Sequence, residues 1–258
     1  MSGWSSFALV SGVSAVLLVV VQVGAFVVGR RIGRYNVVDV AWGIGFVVVA
    51  AACAVIGDGD GTRRVLLLVL TAVWGLRLSW HVYRKSAGKG EDPRYVAMLD
   101  GASPGEAIRR VFATQGVAQW FVSLPLQVSA VSGTGWTPLL ALGVAVWALG
   151  QIFEAVGDQQ LAQFKADPAN KGTIMDKGLW AWTRHPNYFG DSAVWWGLWL
   201  IAASAWPGVL TVASPVVMTY FLVFATGARL LERSMAKRPG YPEYQQRTSY
   251  FLPRPPRG

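Results

Sequence analysis

Apolar residues run along this chain in long blocks with polar residues gathered between them. Seven blocks, near 7–28, 37–56, 65–83, 114–133, 137–157, 191–206 and 208–228, approach the roughly 17–25 residues that a helix needs to cross a bilayer core of about 30 Å, the sixth being the shortest. The connections on one side are short, SGTGWTP at 132–138 and AWPG at 205–208, while polar residues fill 84–113, 158–190 and 229–258 on the other. The pattern predicts an all-α polytopic membrane helix bundle of about seven transmembrane helices. Composition agrees: 53% of residues are hydrophobic and 14% charged, with a mean hydropathy of +0.38, too apolar for a chain whose surface must be wetted.

Charge then orients the bundle. Taking the blocks in turn, twenty of the 23 Lys and Arg residues fall in the loops and tail of one side, leaving Arg63 and Arg64 opposite and Arg77 inside a span. Cations accumulate in cytoplasmic loops, which places the N-terminus outside and the C-terminus in the cytoplasm, with a plasma membrane as the expected location. The first block has no Lys or Arg before it, exceeds a signal-peptide core in length and is followed by Arg30 and Arg31, so it is expected to remain as a helix. The net charge of +9 follows from this topology, and no nucleic-acid partner is inferred. The lone Cys53 excludes an intrachain disulfide framework, and two histidines exclude His-rich di-iron or haem–copper chemistry, so no metal site is expected. In the loop 84–113, Gly88, Gly90 and Pro93 signal turns, and the S-P-G-E start at Ser103 predicts a capped surface helix leading into the fourth block.

Ionisable groups within or at the ends of apolar blocks are costly and so mark candidate sites. Here they are Asp39, Arg77, His81, Glu154, Asp158, Asp191, Arg229 and Glu232. Arg77, His81 and Arg84 lie four and three apart on one helix face, and Glu154, Asp158 and Lys165 line another. All lie at the inner ends of their blocks and can converge on an inward-opening cavity; the structural alternative is mutual pairing, such as Arg77 with Asp39 or Glu154. The stretch WTRHPNYFGDSAVWW at 182–196 is equally two-sided. Arg184 reads as a charge anchor, Trp182 as an interfacial aromatic, His185 as a cap and Pro186 as a first helical residue. Asn187, Tyr188 and Asp191 on the first turns have no such structural account. A helix N-terminus flanked by Arg184, Lys177 and Lys171 is also a sound anion site, with phosphate the obvious guest. Dinucleotide, P-loop, zincin and nucleophile-elbow motifs are missing, so a cofactor would need a pocket among membrane helices.

The run GLWAWTRHPNYFGD at 178–191 resembles the signature of the steroid 5α-reductase and sterol reductase superfamily, membrane enzymes that reduce a carbon–carbon double bond with NADPH. The resemblance extends to EAVGDQQLAQFK at 154–165 and ARLLERSMAKRPGYPEYQQRTSYFLP at 228–253, while NVVDVAWGIGF at 36–46 and WGLRLSWHVYRK at 74–85 look like a bacterial branch of unassigned function. It implies an N-terminal substrate-side half, 1–133, and a C-terminal cofactor-binding half, 134–258. Carried over residue by residue, it puts Asn187 and Asp191 near the nicotinamide and lines the cofactor with Trp180, Arg184, His185 and Tyr188. Glu154, Asp158 and Lys165 would meet adenosine and phosphates, and Arg229, Glu232, Tyr241, Tyr244 and Arg247 would close over them. Three positions depart from the reductases: Glu154 replaces an Asn, Ala162 an Arg, and Trp74 stands where a tyrosine polarises the substrate. R-H-P-x-Y is shared with isoprenylcysteine carboxyl methyltransferases, so an S-adenosylmethionine-dependent lipid or isoprenyl methyltransferase is the alternative.

Reducing an activated alkene needs a hydride at the β carbon, a donor to the developing enolate and a proton at the α carbon. Asp39 is the first choice of acid, since an apolar span favours a carboxyl that keeps its proton, and His81, held by Arg77, is the second. A lipid substrate would enter between the early helices and the cofactor from the cytoplasmic lobe. A transporter or assembly factor is the third class, opposed by the lack of paired interrupted helices and internal repeats.

Overall fold

The computed structural model describes residues 3–225 and 227–256, and among them all regular structure is helical, without a strand. Among the described residues, five helices are long and apolar enough to cross a membrane: Gly3–Ile32, Val37–Ile56, Gly61–Ser86, Thr137–Ala166 and Gly208–Met235. The chain divides into two compact units, Met1–Thr137 with Ile201–Thr211, and Pro138–Leu200 with Val212–Gly258.

In the first unit, α2 (Val37–Ile56) packs against both α1 (Gly3–Ile32) and α3 (Gly61–Ser86). The approach of α2 to α3 is backbone to backbone, because a Cβ on Gly75 would stand 2.7 Å from the Gly43 carbonyl oxygen. Ser79 Oγ donates to the Val40 carbonyl at 2.8 Å across the same contact. Asp60 caps α3 by accepting from Arg63 N at 2.7 Å, and the turn before it is tied down by Gly59 N to Ala130 O and Asp60 N to Ser132 O. Arg63, an outer-loop charge in the sequence reading, is buried, donating Nη2 to the carbonyls of Ser132 and Gly133 at 2.7 and 2.5 Å.

The fourth apolar block differs from a single rod. After α4 (Pro93–Leu99), the chain forms α5 (Pro104–Ala107), a π-helical segment Ile108–Ala113, α6 (Thr114–Val122) and α7 (Leu124–Ser129). Pro125 explains the break, since it lacks an N–H and its ring collides with the preceding turn. The predicted start at Ser103 is a capping box: Ser103 Oγ accepts from Glu106 N at 3.3 Å, and Glu106 Oε2 accepts from Ser103 N at 2.9 Å. Val38, Ala41, Val111 and Phe112 form a core here with Tyr95, and Phe26 and Tyr35 pack edge-on to Phe112.

The second unit holds α8 (Thr137–Ala166) from Pro138 onward, α9 (Leu179–Trp182), α10 (Pro186–Ala203) as far as Leu200, α11 (Ala213–Tyr220), a π segment Phe221–Ala225, α12 (Ala228–Met235) and α13 (Tyr241–Arg247). Helix α10 covers the sixth block, but its first turns carry Pro186, Asn187 and Asp191, which dilute its apolar length. Glycines seven apart join α8 and α10: Gly143, Gly150 and Gly157 on one, Gly190 and Gly197 on the other. A Cβ on Gly150 would come within 2.6 Å of Gly190 O, one on Gly197 within 2.7 Å of Gly143 O, and one on Gly157 within 3.3 Å of Asn187 N. Small residues thus let the two backbones touch, and the start of α10 is set directly on α8.

Candidate functional site

The chain turns between α9 and α10 through Thr183, Arg184 and His185, all three buried. Pro186 starts α10 with its missing N–H where no partner is needed. The side chains of Arg184 and His185 meet one carboxylate, Glu232 on α12. Arg184 donates Nε to Glu232 Oε1 at 2.9 Å and Nη2 to Oε2 at 3.1 Å, a two-pronged charged pair. His185 Nε2 lies 3.0 Å from the same Oε1, Tyr241 OH donates to it at 2.7 Å, and Gln245 Nε2 donates to Oε2 at 2.5 Å. Glu232 is therefore saturated, with five nitrogen or oxygen atoms on its two acceptors.

The remaining nitrogen of Arg184 ties down the C-terminal tail. Its Nη1 donates to the carbonyls of Gln245 and Thr248 at 3.0 and 2.6 Å, and its backbone N to Ser249 O at 2.9 Å. Thr183 Oγ1 donates to Phe251 O at 2.9 Å, Arg254 N to Trp182 O at 3.0 Å and Tyr244 OH to Trp180 O at 2.5 Å. The Tyr250 ring lies 5.4 Å from the Arg184 guanidinium carbon, and the His185 ring is stacked on Tyr188 at 5.7 Å. Burial, and then Glu232, push the Tyr241 phenol above its ordinary range, and burial does the same for Tyr244. Arg247 pairs with Asp176.

On the α8 side, Asn187 Nδ2 donates to Asp158 Oδ1 at 3.2 Å, Trp180 Nε1 to the Gly157 carbonyl at 3.0 Å, and Leu179 N to Gln160 Oε1 at 3.0 Å. Glu154 and Asp191 are buried; Trp180, Asn187 and Tyr188 are half-buried. The structure thus gathers Arg184, His185, Tyr241 and Gln245 on the Glu232 carboxylate, with Tyr188 stacked on His185 and Tyr244 bonded to Trp180 O, and brings Asp158, Trp180 and Asn187 together around the end of α8. Lys165, Lys171 and Arg229 are exposed.

In the first unit Asp39 takes partners that the spacing of charges did not indicate. Tyr95 OH donates to Asp39 Oδ1 at 2.6 Å and Arg94 Nη2 to Oδ2 at 3.1 Å, so both oxygens act as acceptors. Asp39, the first choice of acid in the sequence reading, thus sits between a guanidinium and a phenol. Burial and the Asp39 charge push the Tyr95 phenol up. Glu91 closes the arrangement, accepting from Asn36 N at 2.9 Å and from Tyr35 N at the start of α2. Arg77 and His81 are half-buried on α3. Arg94 and Tyr95 escaped the sequence reading although Asp92-Pro93 carries the signal, a capping Asp before a first-turn Pro that fixes the next two residues on a helix. Gln245 had no comparable signal.

A family model described as "Protein of unknown function (DUF1295)" matches residues 25–248. The chain is similar to "Uncharacterized protein C594.04c" of Schizosaccharomyces pombe, 25% identical over 231 residues that cover 77% of this chain and 66% of that protein. The chain therefore spans just under two thirds of that relative's length. No solved structure matches.

Proposed function

The chain belongs to the DUF1295 family, and we propose that it is a membrane oxidoreductase that reduces a carbon–carbon double bond of a lipid or steroid-like substrate with NADPH. The reading includes seven spans, an outside N-terminus and a cofactor site facing the cytoplasm across the plasma membrane. It draws on the resemblance of 154–165, 178–191 and 228–253 to the steroid 5α-reductase and sterol reductase superfamily. The observation that carries it is the way the motif residues divide their work in the second unit.

Arg184, His185, Glu232, Tyr241 and Gln245 satisfy one another and brace the tail. Trp180, Asn187 and Tyr188 keep partly open polar and aromatic surface, and Lys165, Lys171 and Arg229 keep exposed charge. Flat rings and phosphates are what such a set suits, so the residues fit a dinucleotide. NADPH, when bound, supplies a hydride. Asn187 and Asp191 would orient its nicotinamide end, Glu154, Asp158 and Lys165 would meet adenosine and phosphates, Lys171 would add phosphate charge, and Arg229 would close over them. Arg247 contributes through Asp176 to the position of the tail.

Proton supply is assigned to the Asp39–Tyr95 pair, in which the phenol carries the hydrogen and the carboxylate holds it, with His81 and Arg77 as the second choice. Methyl transfer from S-adenosylmethionine finds less support, because Glu232, the carboxylate that reading relies on, already has every lone-pair direction met.

Calorimetry on the purified protein with NADPH, NADH and S-adenosylmethionine tests the proposal. NADPH is expected to bind tightest, and preference for S-adenosylmethionine would turn the assignment to methyl transfer. Lipid mass spectrometry of cells lacking the protein is expected to reveal an accumulated unsaturated species, which identifies the substrate.

A further inference from the structure

Helix α12 begins at Ala228, where the last apolar block ends, so in a bilayer it stands where hydrocarbon gives way to headgroups. Its rotation is fixed by Glu232, whose carboxylate is held by Arg184, His185, Tyr241 and Gln245. Ala228, Glu232 and Met235, four and three apart, form the inner face. The opposite side carries Leu230 and Leu231, 41% and 44% exposed, beside exposed Arg233 and Ser234. Lys237 and Arg238 follow in the turn after the helix and are exposed as well.

Charge and apolar surface are thus interleaved on this face, and nothing within the segment neutralises the charge. Glu232 is the only acidic residue between 228 and 238, and it faces inward. Among the described residues Arg233, Lys237 and Arg238 make no ion pair. Unpaired cations facing outward call for an external anion. A soluble polyanion would meet the cations and leave the two leucines in water. An anionic phospholipid meets both, its phosphate beside the cations and the upper part of its acyl chains against the leucines. Val216, Tyr220 and Phe224 are exposed on the segments just before α12, the two rings 5.6 Å apart, and bring a lipid-facing apolar surface up to this point.

We propose that the outer face of α12, with the turn after it, is a docking surface for anionic phospholipid, whose headgroup phosphate meets Arg233, Lys237 and Arg238 while Leu230 and Leu231 reach the acyl boundary. Lipid held there seats the Arg184–Glu232 network at a fixed depth beside the membrane. The proposal needs a bilayer, but neither the reduction chemistry nor Arg229, which the cofactor assignment claims.

The test uses full-length protein in nanodiscs of mixed phosphatidylcholine and phosphatidylglycerol, one lipid or the other carrying a diazirine near its glycerol, with the labelled residues mapped by mass spectrometry. A cation at an anionic surface contributes up to about fivefold, so phosphatidylglycerol is expected to label 228–238 about tenfold or more over phosphatidylcholine. The connection 205–208, which has an exposed Trp206 and no cation, should be labelled equally by both. Arg233→Gln is expected to lower the preference about fivefold, and its combination with Lys237→Gln and Arg238→Gln to bring the two lipids level with the 205–208 signal unchanged. Arg233→Lys with Arg238→Lys should keep the preference, and Leu230→Ser with Leu231→Ser should lower labelling of the segment by both lipids. Equal labelling of the native segment would mean bulk lipid only and would overturn the proposal. No labelling by either lipid would put this face in water toward a soluble partner, and loss of the preference on adding NADPH at matched ionic strength would give the cations to the cofactor; each overturns it too.

Discussion

Arg184 grips Glu232 with two nitrogens, at 2.9 and 3.1 Å, from a position 48 residues earlier in the chain. Their side chains are 10% and 12% exposed, so the pair is largely shielded from water. A guanidinium there is required by geometry, because a lysine offers one point of charge and has no second prong for the tail carbonyls.

Removing one partner of such a pair leaves the other charged and buried, which typically costs about 3–5 kcal/mol. Glu232→Ala and Arg184→Ala are each expected to lower the melting temperature of the detergent-solubilised protein sharply, and the double variant to fall by less than the sum. Additive losses in that double-mutant cycle would show that the two side chains are not coupled.

Close contact between α8 and α10 gives a second expectation. Gly150→Ala places a methyl group 2.6 Å from Gly190 O and Val194 N, both backbone atoms that cannot rotate away. Overpacking of this kind costs about 1–3 kcal/mol. Gly12→Ala and Gly24→Ala on α1 meet nothing within 4 Å and should be neutral or gain up to about 1 kcal/mol from helix propensity. Thermal melts of the three variants side by side decide the matter, and an unaffected Gly150→Ala would contradict the seam.

Alkaline conditions should loosen the tail. Tyr241 and Tyr244 are held above the ordinary tyrosine value of 10.0, by burial first and by neighbouring groups after it. A raised folded-state value means that the folded form keeps its protons longer than the unfolded one. Their contribution is then complete below about pH 10 and is lost as the pH rises further. Melting temperature measured across that range should drop above about pH 10, and Tyr241→Phe should show a smaller drop from a lower starting point, having lost a hydrogen bond to a carboxylate worth about 1.5–3 kcal/mol.

At the Asp39–Tyr95 pair, chemistry and stability separate. If the pair delivers the proton, Asp39→Asn lowers turnover by roughly 100- to 1000-fold with NADPH affinity unchanged. Turnover at the native level in that variant would remove Asp39 from the mechanism.

Long apolar blocks made the helical class legible at once, since length and hydropathy alone decide whether a segment can lie in lipid. Where a block contained Pro125, the same averaging hid the break between α6 and α7, and the π turn at Ile108–Ala113 left no periodic trace. The motif residues from Arg184 to Asp191 stood out in the sequence, but residue type could not tell a side chain that touches a ligand from one that braces a neighbour. Arg184 and His185 face Glu232, a relationship fixed by where α12 lies and therefore invisible to spacing. Asp39 was found by its cost in an apolar span, while its partners Arg94 and Tyr95 came from a loop whose docking depends on Glu91 reaching the start of α2.

The 64 residues between Arg184 and Thr248 also set an order of events during synthesis. At about 5–20 residues per second the ribosome releases the turn several seconds before the carbonyls that satisfy it. Until then the guanidinium has no carbonyl cradle, and a chain cut short before Gln245 never acquires one. Completion of this lobe thus waits until Gln245 and Thr248 have been made, and Arg254, whose amide holds Trp182, carries the dependence further along the chain.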